Sequence, residues 1–232
     1  MILYAIPTPL GGKPQDALPV SALKTIAGIE HFVAEDAKSA RAFLSGVGMQ
    51  RPLQEIAISV LDEHTASKDI PFLLQPLREG HSLGLVSEAG CPAIADPGAA
   101  LVEAAHLEGF RVEPLVGPSS LMLALMASGL EGQRFAFCGY LPRPQDERDN
   151  RIRELEKRSR SEKETELFIE TPYRNDALLA SLLKTCSANT RLCIAADLTL
   201  PTQSITTRSV AQWRKAGAIV GKRPAVFLLY AF

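Results

Sequence analysis

The chain has 232 residues, of which 46% are hydrophobic and 22% charged, and its formal net charge at pH 7 is -1. A chain of this length can bury a core without cross-links, and its composition excludes a disordered chain and an integral membrane protein. The near-zero net charge gives no global support for nucleic-acid binding, which depends on clustered Lys and Arg, although a local basic patch is compatible with it.

The first half of the chain alternates short apolar runs with segments of helical period. This alternation is typical of α/β proteins with a largely parallel sheet. The predicted strands are 2–6, 32–34, 82–87 and 111–115, and the predicted helices are 20–29, 39–46, 69–79 and 99–107.

A Gly-Pro turn at residues 116–120 interrupts the alternation, and an apolar run follows it at 121–127. We therefore predict an N-terminal α/β subdomain over 1–116 and a C-terminal α/β subdomain over 117–232. The second half has predicted strands at 135–138, 166–169, 192–196 and 225–230 and a helix at 173–185. Its weaker alternation indicates a mixed sheet.

The segment 146–166 is densely charged with both signs interleaved, and Glu154 and Glu156 each lie four residues before an Arg. Pairs at this spacing stabilise an exposed helix. An exposed helix is the favoured interpretation, and an RNA-binding stripe is the alternative.

The four cysteines and four histidines show no spacing typical of a metal site or a catalytic triad. We therefore expect reduced thiols and no metal. The segment Met1–Pro7 has the pattern of a first strand and not of a signal peptide, and no stretch is long enough to span a membrane. We expect a cytoplasmic protein.

Loops rich in Gly and Pro follow several predicted strands. They occupy residues 6–12, 87–98, 117–120 and 169–175. Open α/β sheets bind ligands at the carboxyl ends of their strands, and Gly90 and Gly98 permit close backbone approach. A rigid turn or a plain helix N-cap is the alternative for each short motif.

These motifs, taken in order, resemble those of the tetrapyrrole methylase superfamily of S-adenosylmethionine (SAM)-dependent methyltransferases. They are most similar to the branch that contains ribosomal RNA small-subunit methyltransferase I. The resemblance is carried by the segments 4–11, 34–36, 86–92, 96–98, 116–120, 139–142 and 170–174.

The resemblance implies two α/β subdomains with the cofactor cleft between them, SAM as the cofactor, and a homodimer. It also implies a set of cofactor-binding residues in loops of both halves, which are Pro9, Leu10, Ala89, Gly90, Cys91, Ile94, Ser119, Ser120, Glu170, Thr171 and Ala225.

The sulfonium of SAM is a good electrophile, so the protein mainly has to position the reactants and move a proton. Asp96 and Glu88 are the candidate bases if the acceptor is a hydroxyl, and both could instead hold backbone N–H groups. Glu35 and Asp36 follow the second strand and are candidate substrate-binding residues, with helix capping as the alternative. Arg174 is a third candidate substrate-binding residue because Arg on a polar turn can hold an anion.

Two segments depart from the RNA-modifying relatives. Residues 37–41 replace a Thr-Arg-type segment, and residues 197–203 lack the Lys and the Glu of a Glu-Leu-Thr-Lys segment. That branch also commonly extends further than Phe232. These departures indicate a paralogous group, so the acceptor is left open: small-subunit ribosomal RNA, with 2'-O-methylation of ribose, is one alternative, and a tetrapyrrole or another small molecule is the other. We expect methyl transfer to small-subunit RNA to be weak or absent. A non-catalytic SAM-binding or assembly protein is the rival outside the enzyme class.

Overall fold

The computed structural model describes residues 1–232, and the chain divides into two compact units, Met1–Ser119 and Ser120–Phe232. The division lies three residues beyond the predicted boundary at 116/117. Each unit contains one five-stranded sheet with helices. No helix combines the length and the apolar character needed to cross a bilayer.

The N-terminal unit is built on a sheet of five strands in the order β3-β2-β4-β1-β5. The strands are β1 (Ile2–Ile6), β2 (His31–Ala34), β3 (Ala57–Val60), β4 (Leu83–Val86) and β5 (Arg111–Pro114). All four pairings are parallel, as predicted. The carboxyl ends of all five strands therefore meet at one edge of the sheet.

Helices cover both faces of this sheet. They are α1 (Pro14–Ala17), α2 (Val20–Ala27), α3 (Ala37–Val47), α4 (Gln75–Arg78) and α5 (Gly98–Leu107). The predicted helix over 69–79 is wrong as one element, since a 3-10 helix over Ile70–Leu74 precedes α4. Pro71 and Pro76 stand in the first turns of these two pieces, and proline has no N–H to continue a hydrogen-bond ladder from the preceding turn.

The three central strands, β1, β2 and β4, bury side chains on both faces of the sheet, which explains their nearly continuous apolar sequences. One buried cluster includes Leu3, Leu85 and Leu101, and the other includes Ile6 and Phe32. Strand β3 was not predicted, because its short apolar sequence is interrupted by Ser59 and it is mostly exposed.

The C-terminal unit has a mixed sheet, as predicted, in the order β6-β7-β10-β8-β9. The strands are β6 (Phe135–Tyr140), β7 (Thr165–Ile169), β8 (Arg191–Ala196), β9 (Ser204–Ser209) and β10 (Ala225–Tyr230). Only the β6–β7 pair is parallel. The sequence analysis missed β9, a polar strand at the edge of the sheet.

Four helices accompany this sheet. They are α6 (Ser120–Ser128), α7 (Gln145–Glu162), α8 (Asn175–Thr185) and α9 (Val210–Ala216). The helix predicted from residue 173 begins at Asn175, after a 3-10 turn over Pro172–Arg174. The sequence analysis missed α9, although Ser209 and Gln212 form a capping box at its start.

The charged helix α7 exists, but the ion pairs predicted for it are wrong. Glu154 pairs with Arg151, whose Nη1 lies 2.9 Å from its Oε2, and not with the Arg four residues later. Glu156 is buried and accepts a hydrogen bond of 2.7 Å from the backbone N–H of Ser187. One face of α7 therefore packs into the unit, and tertiary partners replace the local pairs.

Candidate functional site

The candidate site of the N-terminal unit lies at the carboxyl edge of its parallel sheet. Strand β1 ends there at Ile6, β4 at Val86 and β5 at Pro114, and each leads into a loop rich in Gly and Pro. Ligands bind at this edge in open α/β sheets because the strand ends and helix starts leave backbone groups available.

A two-hydrogen-bond bridge joins the first of these loops to the second. The backbone N–H of Thr8 donates to the carbonyl of Gly90 at 2.9 Å, and the N–H of Gly90 donates to the carbonyl of Thr8 at 3.0 Å. The Thr8 hydroxyl also donates to the carbonyl of Ser87 at 3.2 Å. These contacts fix the two predicted cofactor loops against each other.

The third loop, which follows β5, lies against the first two. A Cβ at Gly117 would lie 2.4 Å from Cβ of Pro7, so only glycine allows this approach. The Cys91 thiol lies 3.5 Å from the carbonyl of Pro118. A Cβ at Gly90 would lie 3.3 Å from a methyl carbon of Leu10. The structure thus brings Leu10, Gly90 and Cys91 together, and their role in cofactor binding stays a prediction.

The loop after β4 has unusual backbone conformations. Ala93 and Ala95 have φ angles of 65° and 60°, in the left-handed region that favours glycine. One carboxylate oxygen of Asp96 accepts the N–H of Ala93 at 2.8 Å and that of Gly98 at 2.7 Å. Asp96 therefore holds this strained loop in place, which is the alternative role considered for it.

Burial raises the pKa of Asp96 above its ordinary value, and the two backbone hydrogen bonds oppose that shift. Both donors meet the same oxygen, Oδ1. A role for Asp96 as a base stays a prediction. Its two hydrogen bonds to the loop backbone already account for an acidic residue at this position.

The other carboxylates at this edge differ in environment. Asp36 caps α3 by accepting the N–H of Ser39 at 2.7 Å, and its pKa is lowered by hydrogen bonds from Ser39. Glu35 has a raised pKa because of partial burial and then the nearby charges of Glu88 and Asp96. Glu35 and Glu88 also line one small hollow together with Ser39 and Ser87. The edge is thus acidic, and the carboxylate of Asp36 is already engaged as a cap.

Apolar surface is available beside these acids. Ile94 is 49% exposed, and Ala89 is exposed as well. The Cys91 thiol has a pKa raised by burial, against a smaller opposing effect of a hydrogen bond with Ser119. A protonated thiol is a weakly polar contact and not a nucleophile.

The remaining predicted residues belong to the C-terminal unit. The carboxylate of Glu170 is buried, and its Oε1 accepts the N–H of Thr171 at 2.7 Å and Nε of Arg174 at 3.0 Å. Arg174 therefore has an internal partner, and its role toward a substrate anion stays a prediction. Ser120 begins α6, and Ala225 begins β10 opposite Ala196 of β8.

Two buried polar side chains that hold loops in place were not predicted from the sequence. Thr8 links the first two loops, and it is the one buried polar residue of the N-terminal unit. In the C-terminal unit, the buried amide of Asn175 donates to the carbonyls of Gly221 and Arg223 at 3.1 and 2.7 Å, which fixes the turn before Ala225. A Thr between two prolines was the available signal for Thr8, and its partners were not visible in the sequence.

The loops of the N-terminal unit fit SAM in chemical character. Apolar side chains suit the adenosyl and methylene groups, and a surrounding set of carboxylates favours a sulfonium cation. Partial burial raises the pKa of Glu35, and the nearby charges of Glu88 and Asp96 raise it further, so three carboxylates lie close together at this edge. No group of three or more His, Cys, Asp or Glu side chains in residues 1–232 is placed to hold a metal ion.

Comparison with known proteins gives a family by sequence. The family described as Tetrapyrrole (Corrin/Porphyrin) Methylases matches residues 3–213.

Three curated relatives are each named ribosomal RNA small subunit methyltransferase I. The one from Mesorhizobium japonicum is 33% identical over 85% of this chain and 63% of its own length. The one from Pasteurella multocida is 31% identical over 92% of this chain and 72% of its own length. The one from Xylella fastidiosa is 35% identical over 85% of this chain and 68% of its own length. The chain thus spans about two thirds of the length of these relatives.

Solved structures share the fold at low sequence identity. The methyltransferase CobJ has a TM-score of 0.65 at 18% identity, with 99% of this chain and 93% of that chain covered. Cobalt precorrin-4 methyltransferase CbiF has a TM-score of 0.62 at 18% identity, with 99% and 94% covered. These two likenesses show that this chain shares the fold of both proteins.

Proposed function

Because the chain belongs to the tetrapyrrole (corrin/porphyrin) methylases, we propose that it is a SAM-dependent methyltransferase. The observation that carries the proposal is the convergence of three loops at one sheet edge, joined by the Thr8–Gly90 bridge and the close contact of Gly117 with Pro7. Loops that only connect strands to helices do not need such a bridge or such a close glycine contact, so this arrangement favours a binding site.

SAM supplies an electrophilic methyl group, and the residues of this chain position it. The loops around Leu10, Gly90 and Cys91 provide backbone groups and apolar contacts. Asp96 keeps the second loop in its strained conformation through the N–H groups of Ala93 and Gly98. Glu35 and Glu88 are the carboxylates left to attract the sulfonium and to accept a proton from an acceptor hydroxyl.

Calorimetry with SAM and S-adenosylhomocysteine tests the cofactor. The variant Gly90→Ala places a Cβ 3.3 Å from Leu10 at a φ of +81°, and we expect at least a tenfold loss of SAM affinity. Gly109→Ala is a matched control, because Gly109 has a φ of +75° in the same unit and nothing within 4 Å of an added Cβ. Absence of SAM binding by the wild type, or an equal loss in both variants, would overturn the proposal.

We propose small-subunit ribosomal RNA as the acceptor, because the sequence relatives above carry that activity in their names at 31–35% identity. The tetrapyrrole-related structures match at 18% identity and support the fold alone. A tetrapyrrole or other small molecule is the second candidate, favoured by the altered segments at 37–41 and 197–203.

Methyl transfer from radiolabelled SAM to small-subunit RNA and to a cyclic tetrapyrrole distinguishes these acceptors. Strong labelling of the RNA supports ribosomal RNA and overturns the expectation of weak transfer drawn from the altered segments. Labelling of the tetrapyrrole alone supports the second candidate. SAM binding without transfer to either would favour a non-catalytic SAM-binding or assembly protein.

We also propose a cytoplasmic homodimer, and its support is the resemblance to the family. Light scattering of the purified protein tests the dimer, since a mass near 25.1 kDa would indicate a monomer. Cell fractionation tests the location.

A further inference from the structure

The C-terminal end of the chain is locally basic although the whole chain is nearly neutral. Residues 198–232 contain no Asp or Glu, and their basic residues are Arg208, Arg214, Lys215, Lys222 and Arg223. Arg223 pairs with Asp197 at 2.7 Å. Arg214 donates to the carbonyls of Leu183 and Cys186. Arg208 and Lys215 form no ion pair within residues 1–232, so their charges face solvent uncompensated.

These two cations line one open hollow on the C-terminal unit. Its lining residues are Arg208, Gln212, Lys215 and Ala216. Arg208 lies near the end of β9, and the other three lie on α9. A strand end and a helix thus direct two positive charges and one amide toward the same space.

The guanidinium of Arg208 is held in place by an aromatic ring. Its central carbon lies 5.1 Å from the centre of the Trp213 ring, within the range of a cation–π contact. The Trp213 ring is itself fixed, because its buried indole N–H donates to the carbonyl of Leu192 at 2.8 Å. The guanidinium therefore loses less freedom when an anion binds.

The amide of Gln212 is oriented by the capping box. Its Oε1 accepts the N–H of Ser209 at 2.9 Å and the Ser209 hydroxyl at 3.2 Å. With the oxygen so engaged, the NH₂ group is the part of the amide left to donate to a ligand. The side chains of Arg208, Gln212 and Lys215 thus present donors to the hollow, and an anion is their chemical complement.

We propose that Arg208, Gln212 and Lys215 form a phosphate-binding site on the C-terminal unit. The planar fork of Arg208 suits a phosphate, and the Lys215 ammonium adds a point charge. The phosphate belongs to the backbone of an RNA or to a free phosphate compound, and the choice of RNA rests on the proposed function. The site shares no residue with the predicted SAM-binding loops.

RNA binding measured by fluorescence anisotropy against salt concentration tests the first source, with a single-stranded 20-nucleotide RNA as the probe. Each phosphate contact to a single strand contributes about -0.7 to the slope of log K against log salt. The double variant Arg208→Gln, Lys215→Gln should bind at least tenfold more weakly, with a slope lower in magnitude by about 1.4. Lys222→Gln is the matched control and should change neither value, since Lys222 is exposed in the same segment but outside the hollow.

Inorganic phosphate tests the second source. The Nε–Hε NMR signal of Arg208 should shift on phosphate titration in the wild type, and Lys215→Gln should weaken that titration. A phosphate effect without an RNA effect assigns the site to a free phosphate compound. Unchanged RNA binding in the double variant together with no phosphate-dependent shift would overturn the proposal.

SAM calorimetry on the same double variant separates this inference from the proposed function. We expect SAM affinity equal to that of the wild type. If the wild type fails to bind SAM, the proposed function fails while the phosphate measurements still decide this site. If Arg208→Gln unfolds the protein, Lys215→Gln alone should lower the slope by about 0.7, because Lys215 is exposed on α9.

Discussion

The two units differ in the sign of their net charge and in whether they bury charged residues. The N-terminal unit has eight Lys and Arg against fourteen Asp and Glu, a net of -6, and the C-terminal unit has seventeen against twelve, a net of +5. The N-terminal unit buries no charged residue, whereas the C-terminal unit buries six, which are Arg148, Asp149, Glu156, Glu166, Glu170 and Asp197. The overall charge of -1 conceals this division.

The difference in charge indicates which sign of ligand charge the surface of each unit favours. Glu35 and Glu88 stay at the sheet edge of the N-terminal unit, where they favour a cationic cofactor. In the C-terminal unit, the buried carboxylates of Glu166 and Glu170 accept hydrogen bonds from Arg side chains of the same unit. Several Lys and Arg side chains are then left on its surface, where they favour anions.

The largest effect is expected at Glu166, which is fully buried in β7 and accepts hydrogen bonds from Arg158, one of them 2.7 Å long, and from the Cys138 thiol. Glu166→Ala should lower the free energy of unfolding by about 3 kcal/mol, because the Cys138 thiol and the Arg158 guanidinium lose a buried acceptor, although Arg158 keeps its ion pair with Glu164 at 3.0 Å. Urea unfolding measures the change.

Glu162→Ala provides its control, since the Glu162–Arg134 pair is exposed and should contribute less than about 0.5 kcal/mol. Equal losses of stability in Glu166→Ala and Glu162→Ala would contradict the expectation that buried carboxylates stabilise the C-terminal unit more than exposed ones do.

A second comparison lies within α7. Glu156→Ala should cost about 2 kcal/mol, because the N–H of Ser187 and the hydroxyl of Thr190 lose a buried acceptor. Glu154→Ala on the exposed side should change stability by less than about 0.5 kcal/mol. Thermal and urea unfolding of the two variants measure the difference, and a larger loss at Glu154 would restore the local ion-pair interpretation of α7.

In the N-terminal unit, Asp96 tests whether the acidic edge acts through structure or through proton transfer. Asp96→Ala should destabilise the protein by about 1.5 kcal/mol and weaken SAM binding, because two N–H groups lose their acceptor. Asp96→Asn retains an acceptor oxygen, and we expect it to keep SAM affinity and the methyl-transfer rate. A rate loss of a hundredfold or more in Asp96→Asn with normal SAM affinity would instead assign Asp96 as the base.

The smallest effect concerns the pH dependence of stability. The raised pKa of Glu35 means that the folded chain binds this proton more tightly than the unfolded chain. Stability therefore falls as pH rises from the ordinary value of 4.5 through the raised value, and that loss persists at higher pH. Glu35→Gln removes the ionisable group, so this loss of stability at high pH should disappear and the variant should be more stable at pH 7. The gain should be only a few tenths of a kcal/mol, because the Glu35 side chain is largely exposed and solvent screens its charge. Unfolding curves at pH 4 to 8 measure the effect, and a variant less stable than the wild type at pH 7 would contradict it.

Much of the fold could be predicted because its signals are local. Strands β1 and β10 begin and end where predicted, since each is an apolar run with a proline at one end, Pro7 after β1 and Pro224 before β10. The edge strands β3 and β9 could not be predicted in the same way. They are half-exposed, and backbone pairing with a neighbouring strand defines them more than their side chains do.

The sequence by itself determined where the loops rich in Gly, Pro and acidic residues lie, because such residues after buried strands are visible in the order of residues. Only the tertiary structure decided what those residues do. The bridge between Thr8 and Gly90, the pair of N–H groups on Asp96 and the hollow between Arg208 and Lys215 all depend on where the backbone places each group. Hydrogen bonds and charges act over a few ångströms in space, and separation along the chain does not reveal that distance.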